Sequence, residues 1–552
     1  MNRRPVGFDL KGAKKKIGLD SRSSVRSFIV DKKVNEGCSS YLRLSFIGKL
    51  QSFIETYRQH IFYLFLFFSA NILVFLERFW HYRYETEHRD LRRVMGVGIA
   101  ITRGAAGALS LCMALVLLTV CRNVITIVRE TPLGEYIPFD AAIAFHKIVA
   151  ITAAVWATIH TVGHCVNFYH VATQSQEGLH CLFSEAVFGS NFLPSISYWF
   201  YGTLTGITGI LLVAVMSIIY VFALPIFMRR AYHAFRLTHL LNIAFYGLTF
   251  LHGLPKLLDS PKFWYYVIIP ICVFIIDRII GMRQEYKNLQ VINAALLPSD
   301  IIYIQFKRPL SFIFRSGQWI RISSPSFSTP FNESHAFSMA SAPQARSLEL
   351  YIKAVGPWTW KLRSEVSEYL THGIKSSLPL INLTGPYGDG NQDWRHFEVS
   401  IMIGGGIGVT PYASTLTDLV MEIGSGRFNN IRCKKVYFVW ICPTHKNYEW
   451  FVDVLKSVED LDENRILETH IYVTQFFHKF DVRTTMLYIC EQHFRDVNGG
   501  VSMFTGLRAH NHFGRPDFST FLSFIQQQHQ EVNEIGVFSC GPKALNEQIK
   551  IA

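Results

Sequence analysis

Four histidines lie inside long apolar runs of the chain, where ionisable residues are rare and usually functional. His146 and His160 are 14 residues apart in one run, and His239 and His252 are 13 apart in another. On a helix, 14 residues give about 21 Å of rise and end within about 40° of the same face. The spacing predicts two histidine pairs stacked through a membrane. Each pair could ligate one haem iron, since imidazole is a standard axial ligand.

Two aspects of these pairs stay open. Thirteen residues on an ideal helix leave His239 and His252 about 140° apart, so their helix needs a kink, a bulge or rotamer compensation. His164 follows His160 by four residues and could replace it as a ligand. The alternative to haem ligation is that these histidines line a polar cavity or form hydrogen bonds across helices.

Arg103 is a further ionisable residue inside an apolar run. Its guanidinium could balance haem propionates or an anion that develops during reduction. The alternative is that its head group snorkels to the nearby membrane surface. On the first interpretation Arg103 belongs to the catalytic site.

The elements that must position these residues are apolar runs of about twenty residues, the length that spans about 30 Å of hydrocarbon. An even number of spans puts both termini on one side. Thirteen Lys and Arg fall within residues 1–58, which makes that side the cytosol. We therefore predict six transmembrane helices, near 60–80, 97–120, 140–166, 197–224, 237–252 and 263–282.

The composition limits the class of protein. With 49% hydrophobic and 17% charged residues and a mean hydropathy of +0.20, the chain is neither a single water-soluble domain nor a disordered or fibrous one. The net charge of +13 is concentrated before the first apolar run. That distribution argues against nucleic-acid binding.

The composition changes after Lys287. Alternating apolar and polar residues, separated by turn residues, predict an antiparallel β-barrel to about residue 392. Strands that alternate with helical stretches then predict a parallel, Rossmann-like α/β sheet. Its strands are expected at Val399–Ile403, Val436–Ile441, His470–Thr474 and Ile535–Phe538. The expected organisation is multi-domain, with a basic segment over 1–58, a helical domain over 59–287, a barrel over 288–392 and an α/β domain over 393–552.

The predicted barrel carries a group of residues suited to a flavin. The stretch HAFSMASAP at 335–343 offers an aromatic ring and hydroxyls for the flavin ring. The cation of Lys353, the backbone amides of Trp358-Thr359 and the tight turns of GPYG at 385–388 suit a pyrophosphate. Each motif alone is explained equally well by an ordinary strand or turn. The candidates are His335, Phe337, Ser338, Ser341, Lys353, Thr359, Gly385 and Gly388.

The α/β part carries a glycine-rich turn, GGGIGVTP, directly after Val399–Ile403. Glycines there let a dinucleotide phosphate approach the backbone at a helix N-terminus. The spacing is not GxGxxG, and glycine-rich turns between strand and helix are common. The candidates are Gly404, Gly405, Gly406, Gly408, Thr410 and Pro411.

Three residues further along could complete a nucleotide site. Cys540 follows a strand and would lie at the carboxyl edge of the sheet, where open α/β sheets bind ligands. A packing cysteine is the alternative. Arg508 and Arg515 could clamp a 2′-phosphate, or they are exposed charges.

The order of these pieces resembles the NADPH oxidase family: six helices with paired histidines, then HAFSMASAP, GPYG, GGGIGVTP and a terminal CGP. Four further stretches are most similar to the C-terminal half of the dual oxidases. These are CRN at 121–123, FDAAIAFHK at 139–147, RTTMLYICE at 483–491 and HFGRP at 512–516. The resemblance covers nearly the whole chain.

The resemblance implies a ferredoxin-reductase-like module that passes hydride from NADPH to FAD. Single electrons would then cross two b-type haems to external oxygen and give superoxide or hydrogen peroxide. Alternatives are a ferric-chelate reductase and a non-catalytic scaffold or proton-conducting subunit. The matching positions are His146, His160, His239 and His252 for haem iron, Arg103 between the haems, Phe337 and Ser338 for flavin, Gly404 to Pro411 for the dinucleotide, and Arg515 for the 2′-phosphate.

The resemblance also implies a location and partners. The protein would lie in the plasma membrane or the endoplasmic reticulum, surrounded by lipid, with its reductase module in the cytosol. A dual-oxidase maturation factor or another membrane subunit would accompany it. No nucleic-acid partner is expected.

Several positions depart from the family pattern. Pro443 stands where an arginine is usual, so Lys446 would have to supply that 2′-phosphate contact, and Ala336 replaces a proline. No D-x-D-x-D-G calcium loop occurs in residues 1–58, and the chain ends ten residues after Pro542. From these departures we expect a segment or truncated form of a longer protein.

Overall fold

The structure is a computed structural model that describes residues 46–175, 179, 195–255, 262–327, 333–372, 378–388, 390, 392–424, 431–447, 449–475, 482–503 and 505–552. Most of the predicted basic segment, residues 1–45, lies outside the described residues. The chain divides into two compact units. One comprises Gln59–Ile125 and Ile137–Ile279, and the other comprises Met1–Arg58, Thr126–Tyr136 and Ile280–Ala552.

The described residues between Phe46 and Arg283 are mainly helical. Within the described part, five stretches are long and apolar enough to cross a membrane: Phe53–Tyr84, Gly98–Leu118, Phe139–Ala172, Leu204–Ala223 and Phe263–Arg283. The helices are α1 Phe46–Tyr84, α2 Arg89–Met95, α3 Gly98–Leu118, α4 Arg122–Arg129, α5 Leu133–Tyr136, α6 Ala142–Ala172, α7 Leu204–Ala223, α8 Pro225–Arg230, α9 Tyr232–His239, α10 Asn242–Gly253 and α11 Phe263–Arg283.

The remaining predicted span, 237–252, is divided into two helices. Helix α9 ends at His239 and α10 begins at Asn242, with a turn at Leu240 and Leu241. Neither piece alone is long enough to count as a span, so the predicted number of six differs from the five found. The predicted interruption between His239 and His252 is confirmed. The turn at Leu240 and Leu241 changes the rotation of His239 relative to His252. An unbroken helix would fix that rotation by its residue spacing.

Small residues bring α3 close to its neighbours. A Cβ atom at Gly104 would lie 2.8 Å from the Phe75 ring of α1, and one at Gly163 of α6 would lie 2.5 Å from Thr102 Oγ1. Neither site therefore accepts a larger side chain without a shift of the helices, which is the usual role of small residues between membrane helices. The close approach of α3 and α6 places Thr102 and Arg103 beside the histidines of α6.

A fully buried carboxylate joins α11 to the start of α4. Asp277 Oδ1 accepts hydrogen bonds from the backbone N–H groups of Asn123 (2.7 Å) and Val124 (3.0 Å). Asn123 Nδ2 donates to the Asp277 carbonyl at 2.9 Å, and Arg278 contacts the same carboxylate. The side chain thus satisfies amides that a helix start leaves without partners. This contact gives the asparagine of the CRN stretch a structural role.

The first sheet has six antiparallel strands in the order β4-β3-β6-β1-β2-β5. Buried and partly buried residues alternate along β5 and β6, as predicted for strands with one face in a core. Beyond β4, Ala340 N–H donates to the Glu349 carbonyl of β5 at 2.9 Å, which links the two edge strands. The strands are β1 Glu285–Leu297, β2 Ile301–Lys307, β3 Trp319–Ser323, β4 His335–Ser338, β5 Ser347–Lys353 and β6 Leu380–Tyr387, and helix α12 (Pro357–His372) precedes β6.

The second sheet has five parallel strands in the order β10-β9-β8-β7-β11. Every residue of β7 is buried, as expected for a central strand covered on both faces. The parallel α/β prediction and its four strands are confirmed. The elements are β7 Val399–Gly405, α13 Thr410–Gly424, β8 Lys435–Cys442, α14 Val452–Leu461, β9 Leu467–Val473, α15 Val482–His493, β10 His510–Phe513, α16 Phe518–Gln528, β11 Ile535–Cys540 and α17 Lys543–Ile551.

Histidines cluster where β10 pairs with β9. The ring centroids of His510 and His512 lie 5.4 and 5.3 Å from that of His470, and His470 Nδ1 lies 3.1 Å from His512 Nε2. Burial, and then the charge of His470, lowers the pKa of His510 to about 4 and that of His512 to about 3. The folded chain thus keeps both rings neutral at neutral pH.

We predict that the α/β part loses stability as the pH falls below about 6.5, the pKa of an unperturbed histidine. Between this value and the lowered pKa values the unfolded state binds more protons, so stability is complete above the window and decreases on acidification. Each histidine should cost at most about 1 kcal/mol between pH 6.5 and 5.5. Thermal unfolding at pH 7.5 and 5.5, followed by tryptophan fluorescence, measures the loss.

The variant His512→Phe keeps an aromatic ring and removes one titrating group, so its unfolding temperature should depend less on pH. The exposed His493 provides the matched control, and His493→Phe should behave like the wild type. An identical pH dependence in His512→Phe and the wild type would contradict the assignment.

Candidate functional site

The structure brings the four predicted histidines together as the two expected pairs. The ring centroid of His146 on α6 lies 6.4 Å from that of His239 at the end of α9. The ring centroid of His160 on α6 lies 6.2 Å from that of His252 on α10. Each pair therefore joins α6 to one half of the divided helix.

The gap inside each pair fits one metal ion. Metal–imidazole bonds of about 2.1 Å, extended by about 1.1 Å from nitrogen to ring centre on each side, place two ligating rings roughly 6.4 Å apart. The observed separations of 6.4 and 6.2 Å agree with this value. The distance suits two axial ligands of a haem iron.

The Nδ1 atoms of the rings are largely occupied. Ligating histidines usually hold their other ring nitrogen in a hydrogen bond that fixes the tautomer and the ring orientation. His239 Nδ1 is buried without a partner among the described residues. The other three contact an oxygen nearby: His146 Nδ1 to Thr119 Oγ1 at 2.9 Å, His160 Nδ1 to the Thr102 carbonyl at 3.2 Å and His252 Nδ1 to Thr208 Oγ1 at 3.0 Å. In each of these three rings Nε2 is the other nitrogen, which can bind a ligand.

His164 lies beside the second pair. Its ring centroid is 4.5 Å from that of His160 and 5.7 Å from that of Phe168. His160 is the residue whose ring pairs with His252, so the geometry favours His160 over His164 as the ligand.

Arg103 lies next to the same pair. It follows Thr102, whose carbonyl contacts His160, and its guanidinium carbon lies 5.4 Å from the ring centroid of Tyr82. Its Nε is buried without a hydrogen-bond partner in the described part of the chain. A buried guanidinium whose Nε–H group can still donate a hydrogen bond suits an anionic group such as a propionate or reduced oxygen.

An aromatic cluster lies at β4 of the first sheet. His335 and Phe337 are two residues apart on one face of the strand. The Trp358 ring at the start of α12 lies 4.7 Å from His335 and 6.1 Å from Phe337, centroid to centroid. The cluster suits a flat ring system. The sequence pointed to Trp358 only for its backbone amide next to Thr359. The contact of its ring with β4 was not predicted, because the sequence distance from β4 leaves no local signal.

The turn before α12 is held by Thr359. Its hydroxyl accepts from the N–H groups of Val355 (2.9 Å) and Gly356 (3.0 Å). The Thr359 hydroxyl therefore shapes the helix start, where backbone amides and the helix dipole attract phosphates. Lys353 ends β5 as an exposed cation just before this turn.

The remaining flavin candidates lie at strand ends. Gly385 and Gly388 have φ values of +131° and +81°, which few other residues adopt. Ser338 pairs with Trp319 of β3, and the Ser341 hydroxyl accepts from the Glu349 N–H at 3.3 Å. Ser338 and Ser341 thus lie at and just after the end of β4.

The glycine-rich turn packs against the end of β11. Gly404 pairs with Cys540, and a Cβ atom at Gly408 would lie 2.5 Å from the Cys540 carbonyl oxygen. A Cβ atom at Gly405 would meet Leu545 of α17 at 2.7 Å. Gly406 has φ +55° and nothing within 4 Å of its Cβ position. Three glycines therefore permit close packing, and Gly406 faces open space.

Two helical residues complete this turn. Thr410 and Pro411 begin α13 and are buried, and Thr410 Oγ1 donates to the Ile407 carbonyl at 3.1 Å. The predicted glycine turn and Cys540 thus meet at the carboxyl edge of the sheet, where open α/β sheets bind ligands.

Two of the three predicted phosphate contacts lie at this edge. Arg515 follows β10 and Lys446 follows β8, and both side chains are exposed on either side of β9. Arg508 precedes β10 and so lies at the opposite end of the strand. Its N–H donates to Glu459 Oε2 of α14 at 2.7 Å, and its guanidinium contacts the Glu459 carbonyl. The structure does not bring Arg508 to the carboxyl edge.

Three family models match consecutive parts of the chain. Residues 105–250 match the ferric reductase like transmembrane component. Residues 286–391 match an FAD-binding domain, and residues 397–552 match the ferric reductase NAD binding domain. The order agrees with the helical part, the antiparallel sheet and the parallel sheet.

Three curated relatives match nearly the whole chain. Dual oxidase 1 of Caenorhabditis elegans is 66% identical over 99% of this chain and 36% of its own length. The dual oxidase of Drosophila melanogaster is 49% identical over 99% and 35%, and dual oxidase 2 of Sus scrofa is 42% identical over 91% and 32%. The chain spans about a third of the length of these relatives. It is therefore related, along nearly its entire length, to one segment of the dual oxidases, with a ferric-reductase-like transmembrane part followed by FAD-binding and NAD-binding parts.

Proposed function

We propose that this chain is the electron-transfer part of a transmembrane NADPH oxidase. It oxidises NADPH on the cytosolic side and delivers electrons through FAD and two haems to oxygen outside, with superoxide or hydrogen peroxide as the product. The observation that carries the proposal is the pair of histidine sites, 6.4 and 6.2 Å wide, stacked along α6. A bound flavin supplies the step from a two-electron hydride to the single electrons that haem iron accepts.

A sixth span completes the proposed topology. Helices α9 and α10 with their turn cover 22 residues, Tyr232–Gly253, and would extend about 33 Å if continuous, close to the thickness of the hydrocarbon core. Six spans put both ends of the helical part on one side. Arg229 and Arg230 at the end of α8 and Arg283 at the end of α11 support a cytosolic location of that side. The plasma membrane or the endoplasmic reticulum would hold the protein.

The residues of the first sheet would orient the flavin. The closing contact between Ala340 and Glu349 supports a barrel-like curvature of this sheet. His335, Phe337 and Trp358 provide an aromatic surface for the flavin ring. The start of α12 would direct backbone amides towards the pyrophosphate of a bound flavin dinucleotide.

The residues of the second sheet would orient NADPH. Gly406 leaves room for the dinucleotide backbone beside the start of α13, and Cys540 on β11 lies against the same turn. Arg515 and Lys446 flank the end of β9 and would contact the 2′-phosphate through charge-assisted hydrogen bonds.

The final electron acceptor, oxygen or chelated ferric iron, distinguishes an oxidase from a ferric-chelate reductase. Both share this kind of transmembrane part, and the relatives named dual oxidases favour oxygen. Oxygen uptake measured against reduction of chelated iron, with NADPH supplied to the reconstituted chain, tests the choice. Reduction of iron without oxygen uptake would contradict the oxidase. A partner such as a maturation factor or other membrane subunit is part of the same proposal.

We predict that His239→Leu removes one haem and His252→Leu the other. Leucine fills the volume but provides no ligand, so each variant should keep the haem of the intact pair. Haem content and the sharp absorption band of the reduced bis-histidine haem measure the loss. His233→Leu, an exposed histidine on the same helix as His239, is the matched control and should keep both haems. Full haem content in His239→Leu would contradict the pairing.

We predict that Arg515→Ala raises the KM for NADPH and leaves that for NADH nearly unchanged. A charge-assisted hydrogen bond of about 1.5–3 kcal/mol corresponds to a roughly ten- to hundredfold change. Steady-state oxidation of both cofactors measures the effect. Arg508→Ala is the comparison, because the contact of Arg508 with Glu459 predicts equal effects on both cofactors. Equal losses with both cofactors in Arg515→Ala would mean that Arg515 supports the fold.

A further inference from the structure

Two histidines near the end of α1 form a direct imidazole pair that the electron route does not use. His81 Nε2 lies 3.2 Å from His88 Nε2, with ring centroids 4.9 Å apart. The residues from Arg83 to Glu87 and the two residues after His88 are exposed, whereas His88 itself is only 5% exposed. The ionisable ring of His88 is thus buried although the segment around it is exposed.

Tyr82 connects this imidazole pair to Arg103. The Tyr82 ring is buried and stacks on His88, with centroids 4.3 Å apart and ring planes 14° apart. The Arg103 guanidinium carbon lies 5.4 Å from the centroid of the same ring. A continuous series of contacts therefore runs from the partly exposed His81 to Arg103, beside the pair formed by His160 and His252.

The turn that carries His88 is fixed in place. Arg92 donates to the carbonyl of Tyr82 at 3.1 Å and to that of Glu85 at 2.6 Å. These bonds hold the end of α1 against α2 and position His88 over Tyr82. The charged or titratable groups that contact this turn include, among the described residues, His81, Tyr82, Arg92 and Arg103.

The reaction needs protons where its product forms. Conversion of one O₂ to H₂O₂ takes up two electrons and two protons. In the proposed function, on which this inference rests, NADPH supplies the electrons from the cytosolic side. The protons must come from the outer aqueous phase, since the electrons cross the membrane without them. A neutral imidazole accepts a proton on one ring nitrogen and releases one from the other.

We propose that His81 and His88 form a proton-delivery route from the outer solution to the reduction site beside Arg103. His81 takes a proton from water and passes it between the two Nε2 atoms to His88. His88 releases a proton from its other ring nitrogen, through a water molecule, to the reduced oxygen that the Arg103 cation holds. Protonation at the site favours the second electron transfer. The route thereby sets the share of oxygen that leaves as hydrogen peroxide instead of superoxide.

The variant His88→Phe tests the route, because phenylalanine retains a ring to stack on Tyr82 and carries no proton. The reconstituted full chain is supplied with NADPH, and oxygen uptake, superoxide and hydrogen peroxide are measured in H₂O and D₂O. We expect a several-fold higher share of superoxide and a changed solvent isotope effect, with haem spectra as in the wild type. His81→Phe should give the same shift while leaving the buried ring of His88 in place. His170→Phe, an exposed histidine at the end of α6, is the matched control.

The outcomes separate this route from the function on which it rests. Normal haem spectra and oxygen uptake with an unchanged product ratio and isotope effect in His81→Phe overturn the proton route alone. If His88→Phe disturbs the haem spectra, His81→Phe decides. A wild-type chain that oxidises NADPH without consuming oxygen overturns the oxidase function and the route with it.

Discussion

The helical part depends on one geometric requirement, that two imidazoles approach each other across about 6.4 Å at two different depths. Helix α6 presents His146 and His160 on one face because 14 residues nearly complete four turns. The facing segment presents residues 13 apart, which an unbroken helix would turn away from each other. The turn at Leu240 and Leu241 removes the conflict, and close packing through Gly163 holds α3 against the same face.

Much of this could be predicted from the sequence, because periodicity and spacing are local properties. The spacing of His239 and His252 requires an interruption, but nothing in it tells where the helix ends. Strand β10 could not be predicted, since His-Asn-His-Phe carries no apolar alternation and forms only by pairing with β9. Trp358 and Glu459 illustrate the same limit. Each acts on a residue far away in sequence, and single-sequence patterns hold no information about such contacts.

The glycines of the turn at 404–408 serve a packing role in addition to the phosphate contact that the sequence predicts. The turn at 404–408 predicts a close approach of phosphate to the backbone, yet Gly405 and Gly408 are needed for packing against α17 and β11. The glycine-rich turn is therefore packed directly against the strand that carries Cys540. At this carboxyl edge of the parallel sheet, the neighbouring residues leave no room for a side chain at Gly405 or Gly408.

One histidine-bearing segment is the unbroken helix α6, and the other is divided into α9 and α10. The two segments should therefore tolerate insertions and deletions differently. One histidine of each pair lies on the unbroken helix α6, so the separation of the two pairs along that helix is set by a fixed number of backbone hydrogen bonds. One residue inserted between His146 and His160 would rotate one histidine by about 100° and move it by about 1.5 Å. The same insertion at Leu240 and Leu241 would fall in a turn that already absorbs a rotation. Natural length variation in relatives should accordingly concentrate in the divided segment and spare α6.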